Sequence, residues 1–277
     1  MKNNNKDDYT IRGFGDEWSA YTQDDDLRYD LIKIYDDYFK WISDKDINFD
    51  NVLDVGCGSG RWGKFIAQKA KKIMLLDPSI KALNVAKKNL DSFTNVKFKH
   101  STVEGFAEKE KFSFVYSLGV LHHIPDTRKA ISTVSNLVEN NGYILLYLYY
   151  RFDNRPFWFR LLWKFSNIFR RIISVMPFFI RKFICLLIAY LIYWPISRSY
   201  SVVKTFGISA KNYPLSYYND KKMDVLKTDA LDRFGTNLEN RFTKSEITEF
   251  LIENNFIDIQ FKDGEPYWTV LARKHSK

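Results

Sequence analysis

Cysteine is scarce in this chain, with Cys57 and Cys185 the only two among 277 residues. That number excludes a disulfide framework and makes a reducing, cytoplasmic setting the natural expectation. Met1–Asp8 is polar and charged with no apolar core behind it, so no signal peptide is expected. Long apolar runs are lacking too. The longest uncharged run, Phe183–Ser197, has 15 residues and contains Pro195, whereas a bilayer-spanning helix needs ~20. Acid is nearly missing from one region: residues 151–211 hold eleven Lys and Arg against the single acid Asp153. That segment is net +10, so the other 216 residues together carry −1 of the formal +9. A metal centre is not expected, because His122 and His123 are adjacent and so point different ways, and no Cys or carboxylate cluster stands beside them. The remaining composition, 45% hydrophobic and 27% charged, is that of a globular chain with one sizeable core plus an insertion.

The densest signal present is Asn51–Ile66, which reads NVLDVGCGSGRWGKFI. Val52, Leu53 and Val55 form a short apolar run broken by Asp54; Gly56, Gly58 and Gly60 follow, and apolar residues then recur at helical spacing through Trp62, Phe65 and Ile66. This is a strand, a glycine turn and a helix. Glycine suits the turn because the chain must reverse tightly and let its backbone approach a ligand with no Cβ in the way. Gly58, Gly60 and Gly63 also satisfy a dinucleotide fingerprint, with Asp77 near its ribose-binding position. Asp54 argues against a dinucleotide: a carboxylate at the strand's carboxyl end repels a pyrophosphate and attracts a cation. S-adenosylmethionine, with its sulfonium and ammonium, meets that requirement.

Val52–Gly60 resembles the first motif of the class I S-adenosylmethionine-dependent methyltransferases, and three further segments follow in that family's order. Ile73–Ser79 is similar to the second strand, whose terminal acid, here Asp77, binds the ribose hydroxyls. Phe112–Asp126 resembles the fourth-strand motif of the small-molecule branch, and Asn141–Tyr147 its fifth strand. The resemblance covers about residues 50 to 150 and more faintly the last 35. It implies an α/β fold, a doubly wound, seven-stranded Rossmann-like sheet with an antiparallel last strand and a helical insertion after strand five. It also implies S-adenosylmethionine as cofactor, with Trp18, Asp54, Gly56, Cys57, Gly58, Gly60, Asp77, Pro78, Thr102, Val103, Ser117, Leu118 and His122 as its contacts. Thr102 stands where relatives often place an adenine-binding acid, with Glu104 two residues later and the Val103 backbone as a substitute. His123 falls where the family often places a group near the transfer centre, and a histidine satisfied by backbone groups at a strand end is the competing reading. Tyr147, Tyr149, Tyr150 and Arg151, at the end of a strand expected over Tyr143–Tyr149, are candidates for holding the acceptor. Asp77→Ala is expected to abolish cofactor binding without unfolding the chain.

Four segments are expected: an amino-terminal helical cap over 1–45, the cofactor-binding core over 46–150, a basic, aromatic insertion over 151–242, and the last helix and final two strands over 243–277. In the cap, Trp18 and Tyr21 offer aromatic faces to a cation or substrate, and Leu27, Leu31, Ile34, Tyr35, Tyr38 and Ile42 form a helical stripe. Over 156–204, interrupted apolar segments edged by Arg, Lys, Trp and Tyr suit helices lying in a membrane interface; a helical cover for the active site and a homodimer interface are the other readings. Nucleic acid is disfavoured, since Leu186, Leu187, Ile188 and Ile192 suit a core or membrane better than a phosphate track. Arg233 and Arg241, near Asp229 and Asp232, are read as an ion-pair knot. Thr243 with Glu246 forms a capping box for a helix over Lys244–Glu253, and strands over Phe256–Phe261 and Tyr267–Ala272 close the sheet. The reading is a methyltransferase acting on a small-molecule, lipid-like or anionic acceptor in the cytoplasm, with the inner membrane face as a further location. The alternatives are a non-catalytic cofactor-binding membrane-associated protein and an RNA methyltransferase.

Overall fold

The computed structural model describes residues 5–20, 28–106, 110–206 and 213–276. Met1, Tyr21 and Leu27, named above, lie outside them. The chain forms two units, one from residues 1–22, 33–151 and 238–277, the other from 23–32 and 152–237.

The first unit is built on seven strands: β1 (Asn51–Val55), β2 (Lys72–Asp77), β3 (Val96–His100), β4 (Phe112–Leu118), β5 (Val138–Tyr147), β6 (Phe256–Phe261) and β7 (Thr269–Lys274). Their order across the sheet is β3-β2-β1-β4-β5-β7-β6. β1 to β5 run parallel, and β7 is antiparallel to both β5 and β6. Parallel strands buried on both faces read as near-continuous apolar runs, which is how β4 (FSFVYSL, buried throughout) is written. Alternation along each strand divides the core: Leu53, Val115, Ile144 and Leu146 pack on one face, and Val52, Phe114, Tyr116 and Leu145 on the other. Around the sheet lie α1 (Asp8–Ala20), α2 (Arg28–Phe39), α3 (Arg61–Ile66), α4 (Ile80–Asn89), α5 (Thr127–Ser135) and α10 (Lys244–Glu253). Ser79 caps α4 and Asp126 caps α5, each side chain accepting from a first-turn backbone N–H. At α10 the capping box of Thr243 and Glu246 is complete in both directions.

The expected end of the fifth strand is corrected. β5 stops at Tyr147; Leu148 still exchanges hydrogen bonds with Trp268, and Tyr150 forms an isolated bridge with Phe242. The chain therefore leaves the sheet edge two residues earlier than its apolar pattern suggests.

The second unit is helical: α6 (Phe157–Ile173), α7 (Phe178–Ile188), a π turn over Ala189–Tyr193, α8 (Trp194–Thr205) and α9 (Met223–Gly235). The expectation of interrupted segments is also corrected, because Phe178–Thr205 is one continuous helical stretch of 28 residues, long and apolar enough to cross a membrane. Pro195 does not break it. A proline lacks the N–H for an i→i−4 bond, and the wider π turn just before it lets the helix pass that point. The helix α9, within a stretch that reads only as polar, packs beneath α6 and α7. Three arginines fasten this unit by donating to backbone carbonyls: Arg170 to Thr236 and Asn237, Arg181 to Ser174 and Gly235, and Arg198 to Lys221.

Candidate cofactor and acceptor site

At the carboxyl ends of β1 and β2, register places two acids on adjacent strands. Asp54 lies opposite Leu75, and Asp77 is the last residue of β2. Asp54 is buried; its Oδ2 accepts from the Tyr116 hydroxyl at 2.8 Å. Burial raises its pKa to about 7, with that hydrogen bond pulling the other way. Asp77 is buried too, and backbone groups hold both its oxygens: Gly58 N donates to Oδ2 at 2.9 Å and Ser79 N to Oδ1 at 2.7 Å. Desolvation again dominates and lifts its pKa to about 6. Two carboxyls that burial has made reluctant to ionise thus lie side by side, and a cation against them would reverse that reluctance.

The glycine turn sits over this pair. Gly56 N and Cys57 N both donate to Leu76 O, which ties the turn to β2. Gly58 has φ +55°, and a Cβ there would come 2.9 Å from the Trp18 indole. Glycine is required by backbone conformation and by space together. Gly60, at φ +74°, caps α3, where a Cβ would strike Leu90. Trp18 lies within α1, and Arg61 stacks on both Trp18 and Trp62, with its Cζ 4.9 and 4.5 Å from the ring centroids. Cys57 is a buried thiol whose pKa desolvation pushes well up, so it is no nucleophile in this setting.

In the loop after β3, Thr102 Oγ1 accepts from Gly105 N and Val103 is buried. Sequence reasoning missed Asn5. Its side-chain amide donates to Glu104 and to Asp126 O, while its Oδ1 accepts from Asp126 N. No periodicity marks such a long-range clasp, and the last of three consecutive asparagines in a polar stretch carries no signal. Pro78 O receives His100 Nε2 at 2.9 Å, Ser117 Oγ donates to Val55 O, and Leu118 ends β4.

The two histidines follow Gly119 on a short turn, Leu121–His123, and their rings pack at 4.1 Å. His122 is fully buried, stacks on Tyr149 at 3.8 Å, and receives Tyr149 N on Nδ1. Burial holds its pKa well below the usual imidazole range, so the ring is neutral with its proton on Nε2. His123 Nδ1 lies 2.6 Å from Leu238 O and, since a carbonyl only accepts, donates to it. Phe14 of α1 lies 5.0 Å from the His123 ring, and Tyr38 5.3 Å from Tyr147.

Of the acceptor candidates, the structure brings His123 and Tyr147 together with Tyr149, and separates the other two. Tyr150 points to the opposite side, against Tyr267 and Trp268 at 5.3 and 6.2 Å. Arg151 donates to Arg241 O and pairs with Glu246 at 3.0 Å, so its charge is already answered. Arg241 pairs with Glu239 at 2.7 Å and lies over the Tyr149 ring.

Residues 52–142 match a family model described as a methyltransferase domain. Ubiquinone biosynthesis O-methyltransferase of Alkalilimnicola ehrlichii is 32% identical over 97 residues, 34% of this chain and 39% of that protein. The same-named protein of Nitrosomonas europaea is 33% identical over 96 residues, 34% of this chain and 41% of its own length. The chain thus spans about two fifths of these curated relatives. Magnesium protoporphyrin IX methyltransferase from Synechocystis PCC 6803, solved with bound S-adenosylhomocysteine, superposes with a TM-score of 0.56 over 97% of this chain and 96% of that one; at 15% identity, it shares the fold.

Proposed function

We propose that the chain, whose residues 52–142 match a methyltransferase-domain model, is a class I S-adenosylmethionine-dependent enzyme transferring the cofactor's methyl group to a small, lipid-like acceptor. One observation carries this reading: the buried acids Asp54 and Asp77 lie side by side at adjoining strand ends, under a turn whose glycines leave no Cβ in the way. The donor set fits the cofactor, since carboxyls that burial has made reluctant to ionise gain from a sulfonium and an ammonium.

S-adenosylmethionine supplies an electrophilic methyl group when bound. The protein's own residues do the rest. Asp77 and Gly58 orient the ribose end, Asp54 the methionine end, and Thr102 with the Val103 backbone the adenine. Trp18 and the α1 segment exclude water, which strengthens every electrostatic contact inside. His123 is the candidate base for an acceptor hydroxyl; its ring packs on Tyr149, which in turn packs on Tyr147. A hydroxyl acceptor agrees with the relatives' O-methyltransferase name. Most of the rate then comes from holding acceptor and methyl in line, with proton removal by His123 a smaller factor. A cysteine count of two supports a reducing, cytoplasmic setting.

Calorimetry with S-adenosylmethionine and S-adenosylhomocysteine, followed by turnover of labelled cofactor on a panel of apolar phenols, tests the reading. Binding plus methyl transfer to at least one acceptor is expected, with His123→Gln lowering kcat more than KM. Cofactor binding with no transfer to any acceptor would favour the non-catalytic alternative.

A further inference from the structure

We infer that the second unit docks flat on an anionic phospholipid surface through the outer faces of α6, α7 and α8. The observation is an apolar surface too large and too ordered for a solvated helix set. Phe157, Leu161, Phe165, Ile168 and Ile172 of α6 are each half or more exposed, as are Phe179, Phe183 and Leu191 along the following stretch; Phe179 reaches 76%. A typical monomer keeps its exposed apolar patches small.

The arrangement on α6 shows what the surface meets. At about 100° per residue, its side chains fall into three sectors. Trp163, Arg170 and Ile173 lie on the arc that faces the rest of the unit. Opposite them the exposed apolar residues cover roughly 140°, and between the two runs a stripe of Arg160, Lys164 and Arg171, all exposed. An apolar arc bordered by a cationic stripe is the pattern of a helix lying in a lipid headgroup layer, where the stripe meets phosphates and the arc enters the acyl boundary. Trp158 and Trp194, both exposed, suit the same interface.

Three rival placements fail on the same residues. A second copy would bring an identical cationic stripe with nothing to answer it, since no acid occurs between Asp153 and Asp220. A nucleic acid would answer the stripe and leave the phenylalanines and leucines in water. Crossing the bilayer would carry α9 along, because α7 packs on it and Arg181 donates to Gly235 O. α9 holds Asp224, Lys227, Asp229, Asp232 and Arg233, and taking such a helix into hydrocarbon is costly.

Flotation of the full chain with phosphatidylcholine vesicles, with and without phosphatidylglycerol, tests the inference independently of any methyl transfer. Binding is expected with the anionic mixture and should weaken as salt rises. The triple variant Arg160→Gln, Lys164→Gln, Arg171→Gln should lower the partition coefficient on the order of a hundredfold, about fivefold per charge. Trp158→Phe should reduce fluorescence quenching by brominated acyl chains while leaving binding intact, and alkaline carbonate should extract the protein. All three charge positions are exposed, so unaltered thermal unfolding is expected and keeps the comparison valid. Absence of flotation with anionic vesicles, equal partition of the triple variant, or a stable dimer that ignores vesicles would overturn the inference. Resistance to carbonate would overturn the flat orientation in favour of a span.

Discussion

Cofactor binding should be coupled to proton release through Asp54. The folded pKa of about 7 stands above the unfolded carboxyl value near 4, because burial penalises the anion. For an acid shifted in this direction the neutral form is favoured by the fold, so the ligand-free protein loses stability as pH rises from about 4 to about 7. Three pH units correspond to roughly 4 kcal/mol. A cationic ligand binds the ionised form and recovers that loss, and its affinity therefore rises with pH. A group of pKa about 7 is ionised to roughly 1% at about pH 5 and to about half at about pH 7, so the dissociation constant should fall around fiftyfold across this window. Calorimetry near pH 6 in two buffers of different ionisation enthalpy should register proton release on cofactor binding, close to one from Asp54 and up to about half from Asp77. Asp54→Asn should bind weakly and lose the larger part of this pH dependence. A wild-type affinity that is flat between about pH 5 and about pH 7, with no proton released, would refute the reasoning, because it would mean the carboxyl is already charged before the ligand arrives.

Gly58→Ala should destabilise the chain by about 1–2 kcal/mol, because φ +55° is strained for any residue with a Cβ, and should remove cofactor affinity as Trp18 is displaced; thermal unfolding and calorimetry read the two effects. Asp77→Asn should cost about 1–3 kcal/mol as well as affinity: one of its two terminal atoms becomes a donor, so Gly58 N and Ser79 N cannot both be satisfied, and unchanged stability in denaturant titration would contradict that count. By the same geometry Asp77→Ala should also cost stability, because it would leave both N–H groups without an acceptor. Leu145→Ala, in the buried run Ile144–Leu146 of β5, should cost ~2–5 kcal/mol by urea titration with cofactor contacts unaltered.

The α/β core was legible because its signals are local. Val52–Gly60 announces strand and turn, the apolar β4 announces a strand covered on both sides, and Thr243 with Glu246 announces α10 to the residue. The acids Asp54 and Asp77 could be named from the sequence, since each follows or interrupts an apolar run. Their neighbours were harder to foresee. The hydrogen bond from Tyr116 to Asp54 joins residues 62 apart and exists only through the β1–β4 register. Separation of Tyr150 from Tyr147 depends on where the strand ends, which an unbroken string of apolar and aromatic residues conceals. Glu246 gave a clear capping signal but no hint that it also neutralises Arg151. Likewise Pro195 reads as a break in any linear scan, and the π turn that accommodates it is a property of the folded helix.

The strand order bears on how the protein is made. β7, the last strand in chain order, is inserted between β5 and β6 and is hydrogen-bonded on both edges. During synthesis β1 to β5 can pair as they emerge, yet the free edge of β5 stays bare until the ribosome has delivered Thr269–Lys274. Until then a long parallel sheet presents unpaired backbone groups beside the apolar β5, a template for pairing with other nascent chains. A chain that stops before Thr269 should therefore accumulate as an insoluble product, because β5 then keeps an unpaired edge.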